Sequence, residues 1–412
     1  MSHHHEKPPK TKSAKYITIG LITLTVIMFI VAFHPFGTII TTPFPKDEVI
    51  IAVSMPFEGE MAEFGIEYMR GIELAVEDIN DEGGIRGVPV RVEYYNNKGN
   101  VTLAKAQFKA IKESGVPVVI GALTSTVTLA LAPYAESYEI VLISPSATSA
   151  GLSAYGNYVY RTVSSDFYLG AGMAKIIGGR NETQNVMMIS LDNSYGKSLK
   201  YAFMNEANSS YPDMHIVSAI SVPDSNTVNT TEIIAEMKKT DPQSVLLIVN
   251  PSQCIEIMLA AEKEGLDPTW FGSDMVTNRQ VPQEVGEYSE GLIGFSQARR
   301  ISDPSYEEHY EETFGEAMMT RDSIYGYDTM IVVSQAIEHS GYTADGIREG
   351  LDLIRHVGLT GTIVFDEKGD AYPSYDVMRL QNGKWVDLPW REVLTFEKKA
   401  AAISSAHGTS SH

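Results

Sequence analysis

The chain reads as an α/β protein of two wound halves, each built around a parallel sheet. Three observations predict this. From Glu48 to about Asp274, short apolar runs of strand length alternate with segments whose apolar residues recur at helical spacing. The alternation starts afresh after Arg161 with the same rhythm, although no close sequence repeat links the two series. The length of 412 residues exceeds a typical single domain and suits about two.

In order, VIIAVSM is a buried strand and PFEGEMAEFG a polar loop. Met69, Ile72, Leu74, Ala75, Val76 and Ile79 then mark one face of a helix. GGIRG follows that helix and precedes the strand PVRVEYYNN, the reverse of a phosphate loop's setting, so it reads as a helix end and turn. Leu103, Ala104, Ala106, Phe108 and Ile111 give the next helix. Residues 118–148 read as strand (VVIGA), a helix from near Ser125 that bends or restarts at Pro133, strand (IVLIS), and a second loop. Both loops are rich in hydroxyls and, in a parallel sheet, reach the same carboxyl-end edge, where open α/β sheets bind ligands. Ser125 or Thr126 at a helix start, with unbonded N–H groups, suits a small anion such as a carboxylate. Ser125 and Thr148 would equally serve as ordinary N-caps, and the residues alone leave both readings open.

The second series has helical GAGMAKIIGG, strands NVMMISL, HIVSAISV and SVLLIVN, helices EIIAEMKKT and CIEIMLAAEKEG, and closes on WFGSD. Three helices follow, in EEHYEETFGEAM, YGYDTMIVVSQAIEHS and TADGIREGLDL. GTIVFDEKGD with YDVMRLQNGKWV gives a strand-turn-strand ending.

The amino end carries Lys7, Lys10, Lys12 and Lys15, and residues 16–33 hold no charge. That run reaches the lower limit of a membrane-spanning helix, and the lysines place residues 1–15 in the cytoplasm and the rest outside. With no A-x-A site and no cysteine just after it, an uncleaved signal anchor is expected. Residues 34–47, with Pro35, Pro43 and Pro45, read as a semi-rigid linker, and 397–412 as a disordered tail. No second membrane segment follows. Asn100, Asn181, Asn208 and Asn229 head N-x-S/T triplets, compatible with surface positions.

A net charge of −20 argues against a nucleic-acid partner. The lone Cys254 excludes an internal disulfide and any CxxC site. HExxH, GxSxG and GxGxxG are absent, and apart from the run His3 to His5 the histidines are scattered singly. Gly196-Lys197-Ser198 resembles the end of a Walker loop, but Leu191 stands where that loop needs glycine. An enzyme is not expected, and no cofactor or metal is called for.

The chain resembles the type I periplasmic binding proteins that serve ATP-driven uptake of branched-chain amino acids. The resemblance spans about 49–386 and rests on AEFG, RGIELAVEDINDEGGIRG, VIGALTST, ISPSAT, DNSYG and FDEKGD in that order. It implies two Rossmann-like lobes joined by three crossovers, near 161–166, 295–300 and 372–376, closing on a ligand. The implied lobes are 48–164 with 298–372, and 165–297 with 373–396. By position in the family's motifs, Ser125 holds the ligand's α-carboxylate, while Ser146 contributes backbone and Thr148 hydroxyl and backbone. From the second lobe, Tyr195 supplies an aromatic ring and Asp274 an acid for the α-ammonium, where glutamate is common. Phe64 stands where tyrosine is frequent, so a hydroxyl contact is lost there. Tyr325 matches an aromatic lining position, and Asn250 makes the side-chain pocket more polar. The implied partners are a small-molecule ligand, an amino acid, with the permease and ATPase subunits of an importer. The fold alone also allows a sensory ectodomain, or a receptor for an amide or urea-like solute.

Overall fold

In a computed structural model, residues 44–180, 184–297, 303–318, 320, 322–372 and 375–388 are described. The expected membrane anchor, most of the linker, the 397–412 tail and Asn181 lie outside them. Among the described residues no helix is long and apolar enough to cross a membrane.

The first sheet has the order β2-β1-β3-β4-β5 and is parallel throughout: β1 Val49–Met55, β2 Val90–Asn96, β3 Val118–Gly121, β4 Val141–Ser144 and β5 Val159–Arg161. Helices α1 (Ala62–Asp81), α2 (Val101–Ser114) and α3 (Ser125–Tyr138) connect its strands. Every residue of β3 and β4 is buried, which is why both read as unbroken apolar runs.

The second sheet alternates in the same way through α4 (Asp166–Gly178), β6 (Asn185–Leu191), α5 (Ser194–Ser210), β7 (His215–Val222), α6 (Thr230–Thr240), β8 (Ser244–Ile248), α7 (Pro251–Lys263), β9 (Thr269–Gly272), α8 (Gln280–Val285) and β10 (Ile293–Gln297). After α9 (Pro304–Phe314), α10 (Asp322–Ser340) and α11 (Ala344–Leu353), the chain returns to it with the hairpin β13 (Tyr375–Gln381) and β14 (Lys384–Asp387). Its order is β14-β13-β10-β9-β8-β6-β7, with the hairpin antiparallel on an otherwise parallel sheet. The GTI segment does not belong to that ending. It is β12 (Gly361–Ile363), paired with β11 (His356–Gly358) in a separate two-stranded ribbon.

Three further expectations are corrected. Helix α3 neither bends into two nor restarts at Pro133. The ring is exposed, and the carbonyl it leaves without a partner belongs to half-buried Leu129. Helix α1 begins at Ala62, inside the stretch that reads as loop, because Met61 and Phe64 face a cleft rather than the core and break the apolar period. Gly65 allows this start, since a Cβ there would fall 1.9 Å from the Pro56 carbonyl oxygen. Helix α10 likewise begins three residues before Tyr325, at Asp322.

The chain passes between the sheets at 162–165, after β10, and between Ala371 and β13. The first and third passages are tied together. Arg161 N–H donates to the Gly369 carbonyl (3.0 Å) and Ala371 N–H to the Arg161 carbonyl (3.1 Å). The Arg161 guanidinium, 1% exposed, pairs with Asp370 at 2.7 Å. Ser164 N–H reaches across to Gln297 Oε1 at the end of β10, at 3.0 Å.

Candidate ligand cleft

A cleft of about 1020 Å³ lies between the two sheets' carboxyl ends. The loops and first helical turns after β1 to β5 supply Phe64, Lys98, Ser125, Ser146 and Val163, and those after β6 to β9 supply Tyr195, Asp224, Asn250 and Asp274. The carboxyl edge of a parallel sheet is where adjoining loops diverge and leave room for a ligand.

On the first lobe the N-cap of α3 is Thr124, whose hydroxyl accepts from Val127 N–H. Ser125 is therefore the first helical residue and not the cap. Its Oγ accepts from Ser149 N–H at 3.2 Å, which leaves its own proton to donate into the cleft. Thr126 Oγ1 is used differently. It accepts from Ser194 N–H of the second lobe at 3.4 Å, one of two cross-lobe bonds there with Ala150 N–H to Ser198 Oγ at 2.9 Å.

The neighbouring loop is fixed by Ser144, whose Oγ donates to the Ala122 carbonyl (2.8 Å) and accepts from Ala147 N–H (2.9 Å). Ser146 Oγ donates to the Leu123 carbonyl at 2.5 Å, so its hydroxyl holds loop to loop. Thr148 is not an N-cap: Ser149 holds the cap position of the short 3-10 turn Ala150–Ala154 that follows it. The Thr148 carbonyl is consumed by the Arg161 guanidinium and by Asp166 N–H, both at 2.8 Å. Both lone pairs of this carbonyl are therefore engaged within the protein. The Thr148 hydroxyl is buried beside the Asp166 carboxyl, whose ionised form it favours, and meets no well-aligned hydrogen-bond partner among the described residues.

Across the cleft, the Tyr195 hydroxyl donates to Asp274 Oδ1 at 2.5 Å. Tyr195 is presented by the first turn of α5, capped by Asn193, and Asp274 follows β9. Burial pushes the Asp274 carboxyl above its ordinary range; the Tyr195 hydroxyl opposes the shift and the charge of Asp322 adds to it. A ligand cation beside Asp274 would restore the ionised form. Beneath the cleft, burial raises the Asp166 carboxyl to about 7.

Asn250 borders the cleft, but its side chain is already engaged. Its Oδ1 accepts from Gln253 N–H (3.1 Å) as the cap of α7, and its Nδ2 donates to the Ser225 carbonyl (2.9 Å). Phe64 and Tyr325 both line the cleft.

Sequence reasoning missed Tyr68, Asp322, Gln297 and Trp385, which also line it. Tyr68 lies one turn beyond Phe64, so helical spacing could have found it. It puts a phenol near where Phe64 lacks one, and its hydroxyl donates to Asp322 Oδ1 at 3.4 Å. Asp322 precedes Tyr325 by three residues on α10. Two glycines bring α1 and α10 together here: a Cβ on Gly71 would lie 1.7 Å from the Ser323 carbonyl oxygen, and one on Gly326 2.2 Å from that of Tyr68. Gln297 and Trp385 carry no local signal. Pairing of β10, β13 and β14 places them, and Trp385 Nε1–H donates to the Asn278 carbonyl at 2.8 Å.

Residues 48–384 match the family model described as Periplasmic binding protein. The sequence is 23% identical over 329 residues to the leucine-, isoleucine-, valine-, threonine- and alanine-binding protein of Pseudomonas aeruginosa, covering 79% of this chain and 87% of that one. Over 350 residues it is 23% identical to a Leu/Ile/Val-binding protein homolog of Brucella melitensis, covering 83% and 94%. A leucine-binding protein structure from Thermotoga maritima superposes with a TM-score of 0.72 at 22% identity, covering 83% and 98%. A solute-binding protein of R. palustris in complex with benzoate does so at 0.73 and 16%, covering 83% and 95%.

Proposed function

The chain belongs to the periplasmic binding protein family, and on that footing we propose that it is the outward-facing amino-acid receptor of an ATP-driven importer. It is a binding protein and not an enzyme. The observation that carries the amino-acid reading is the pair of opposite poles across one cleft. Ser125, with a hydroxyl proton to give at a helix amino end, faces the second lobe's Tyr195–Asp274 pair. A zwitterion matches both poles at once, carboxylate to the first and ammonium to the second. Ligand gripped by the first lobe favours closure only through the added contacts of the second, which is how occupancy becomes a shape that a permease can read. Residues 1–47 would tether the receptor to the membrane that holds that permease.

The deciding experiment is calorimetry of the purified chain against amino acids, their deaminated acids, neutral amides and benzoate. Amino acids are expected to bind, and more weakly to Ser125→Ala and to Asp274→Asn. A response confined to amides would remove the roles of Ser125 and Asp274. Deaminated acids or benzoate binding as well as amino acids would remove that of Asp274.

A further inference from the structure

We propose that Gln297 is a specificity-determining residue of the cleft, and that it selects an amino acid whose side chain carries a hydrogen-bond acceptor oxygen. This inference rests on the amino-acid reading above.

Gln297 is the last residue of β10, 9% exposed, and lines the cleft. Its orientation is fixed by a main-chain donor. Ser164 N–H can give a hydrogen bond only to oxygen, so the atom it meets at 3.0 Å is Oε1 and the amide nitrogen points the other way. That nitrogen, with two protons to donate, has no hydrogen-bond partner among the described residues. A buried donor without an acceptor is costly, and a binding protein can hold one in its cleft when the ligand supplies the acceptor.

The α-carboxylate does not need this donor. Its pole already has the Ser125 hydroxyl and the amino end of α3, both contributed by the first lobe. Gln297 instead belongs to the second sheet, beside the passage between lobes. With the carboxylate and ammonium both served, the group left for Gln297 is on the side chain. An aliphatic side chain offers it nothing, whereas a hydroxyl or amide oxygen satisfies it. The same side chain, through Oε1, touches the first passage between lobes. A ligand that engages Nε2 therefore also steadies the contact that links two of the three passages.

The test uses the purified full chain and two isosteric ligand pairs, asparagine with leucine and threonine with valine, measured by calorimetry. At least one acceptor-bearing member is expected to bind about tenfold or more tighter than its aliphatic partner, the usual penalty for a buried donor left unpaired. In Gln297→Met that ratio is expected to fall close to one. In Ser125→Ala both members of a pair should weaken together and keep their ratio, a distinction that a purely structural role for Gln297 would not produce. Leucine and valine binding as tightly as asparagine and threonine to the unaltered chain would overturn the proposal while leaving the amino-acid reading standing. So would a ratio unchanged in a folded Gln297→Met, its fold checked by an unshifted melting transition before ligand. Silence from all four ligands would sink the amino-acid reading, and this proposal with it.

Discussion

The two walls of the cleft are built on different principles. The first-lobe wall is a scaffold of backbone and hydroxyls. Ser144 ties the loop after β4 to the end of β3, Ser146 ties it again to Leu123, and Arg161 clamps the carbonyls of Thr148 and Ser149 from below. The second-lobe wall presents larger side chains, Tyr195, Asp274, Gln297 and Trp385, which meet mainly one another or single backbone groups. A preorganised set of short donors suits the carboxylate that every amino acid shares. A wall of long side chains can change what it selects without disturbing the sheet beneath it.

Four measurements would break or sharpen that contrast. The largest effect is expected from Asp370→Ala, which strands the buried Arg161 charge under the first wall. Denaturation should show a loss of about 3–5 kcal/mol, the usual cost of removing one partner from a buried ion pair. A change below about 1 kcal/mol would mean the clamp is not what holds that wall. Asp274→Asn should weaken leucine or asparagine binding by about 2–3 kcal/mol, as for a lost hydrogen bond to a charged group, yet spare isocaproate, which lacks the amine. Equal losses for both ligands would put Asp274 in a general structural role. Ser125→Ala should cost about 1–2 kcal/mol toward amino acid and isocaproate alike, because both carry the carboxylate.

The fourth measurement concerns pH. The Asp166 carboxyl is raised in the folded state to about 7, chiefly by burial. The folded protein then holds a proton that the unfolded chain releases near its ordinary value of about 4. Stability is full below that value, falls as pH climbs toward 7 at no more than about 1.4 kcal/mol per pH unit, and levels off above. Asp166→Asn should flatten that slope in melting curves from pH ~4 to ~7. Parallel slopes for the two proteins would show that Asp166 does not carry it.

Much of the first wall is legible in sequence because its parts are contiguous. Residues 118–148 hold β3, the start of α3, β4 and the loop that follows, so strand length, helix spacing and hydroxyl content point to one edge. What stays hidden there is which hydroxyl does what. Ser125, Thr126, Ser146 and Thr148 look alike in sequence, yet only the folded loops commit Thr126 to the other lobe, Ser146 to Leu123, and the Thr148 carbonyl to Arg161. The second wall is gathered from residues far apart in the chain. Tyr195 and Asp274 are 79 positions apart, and Trp385 meets Asn278 across 107. Motif order brings Tyr195 and Asp274 to attention through resemblance, but nothing local marks Gln297 or Trp385.

Periodicity and punctuation in the sequence determined the two wound halves and the hydroxyl-rich loops at the carboxyl-end edge. These depend on interactions between residues a few positions apart, which a linear pattern records. Tertiary structure alone decided the antiparallel hairpin that completes the second sheet, the glycine-mediated approach of α1 to α10 that sets Tyr68 beside Asp322, and the buried, unpartnered amide nitrogen of Gln297 among the described residues. Each depends on packing between segments distant in the chain, where the neighbour that satisfies or strands a polar group is set by the fold and leaves no trace in local spacing.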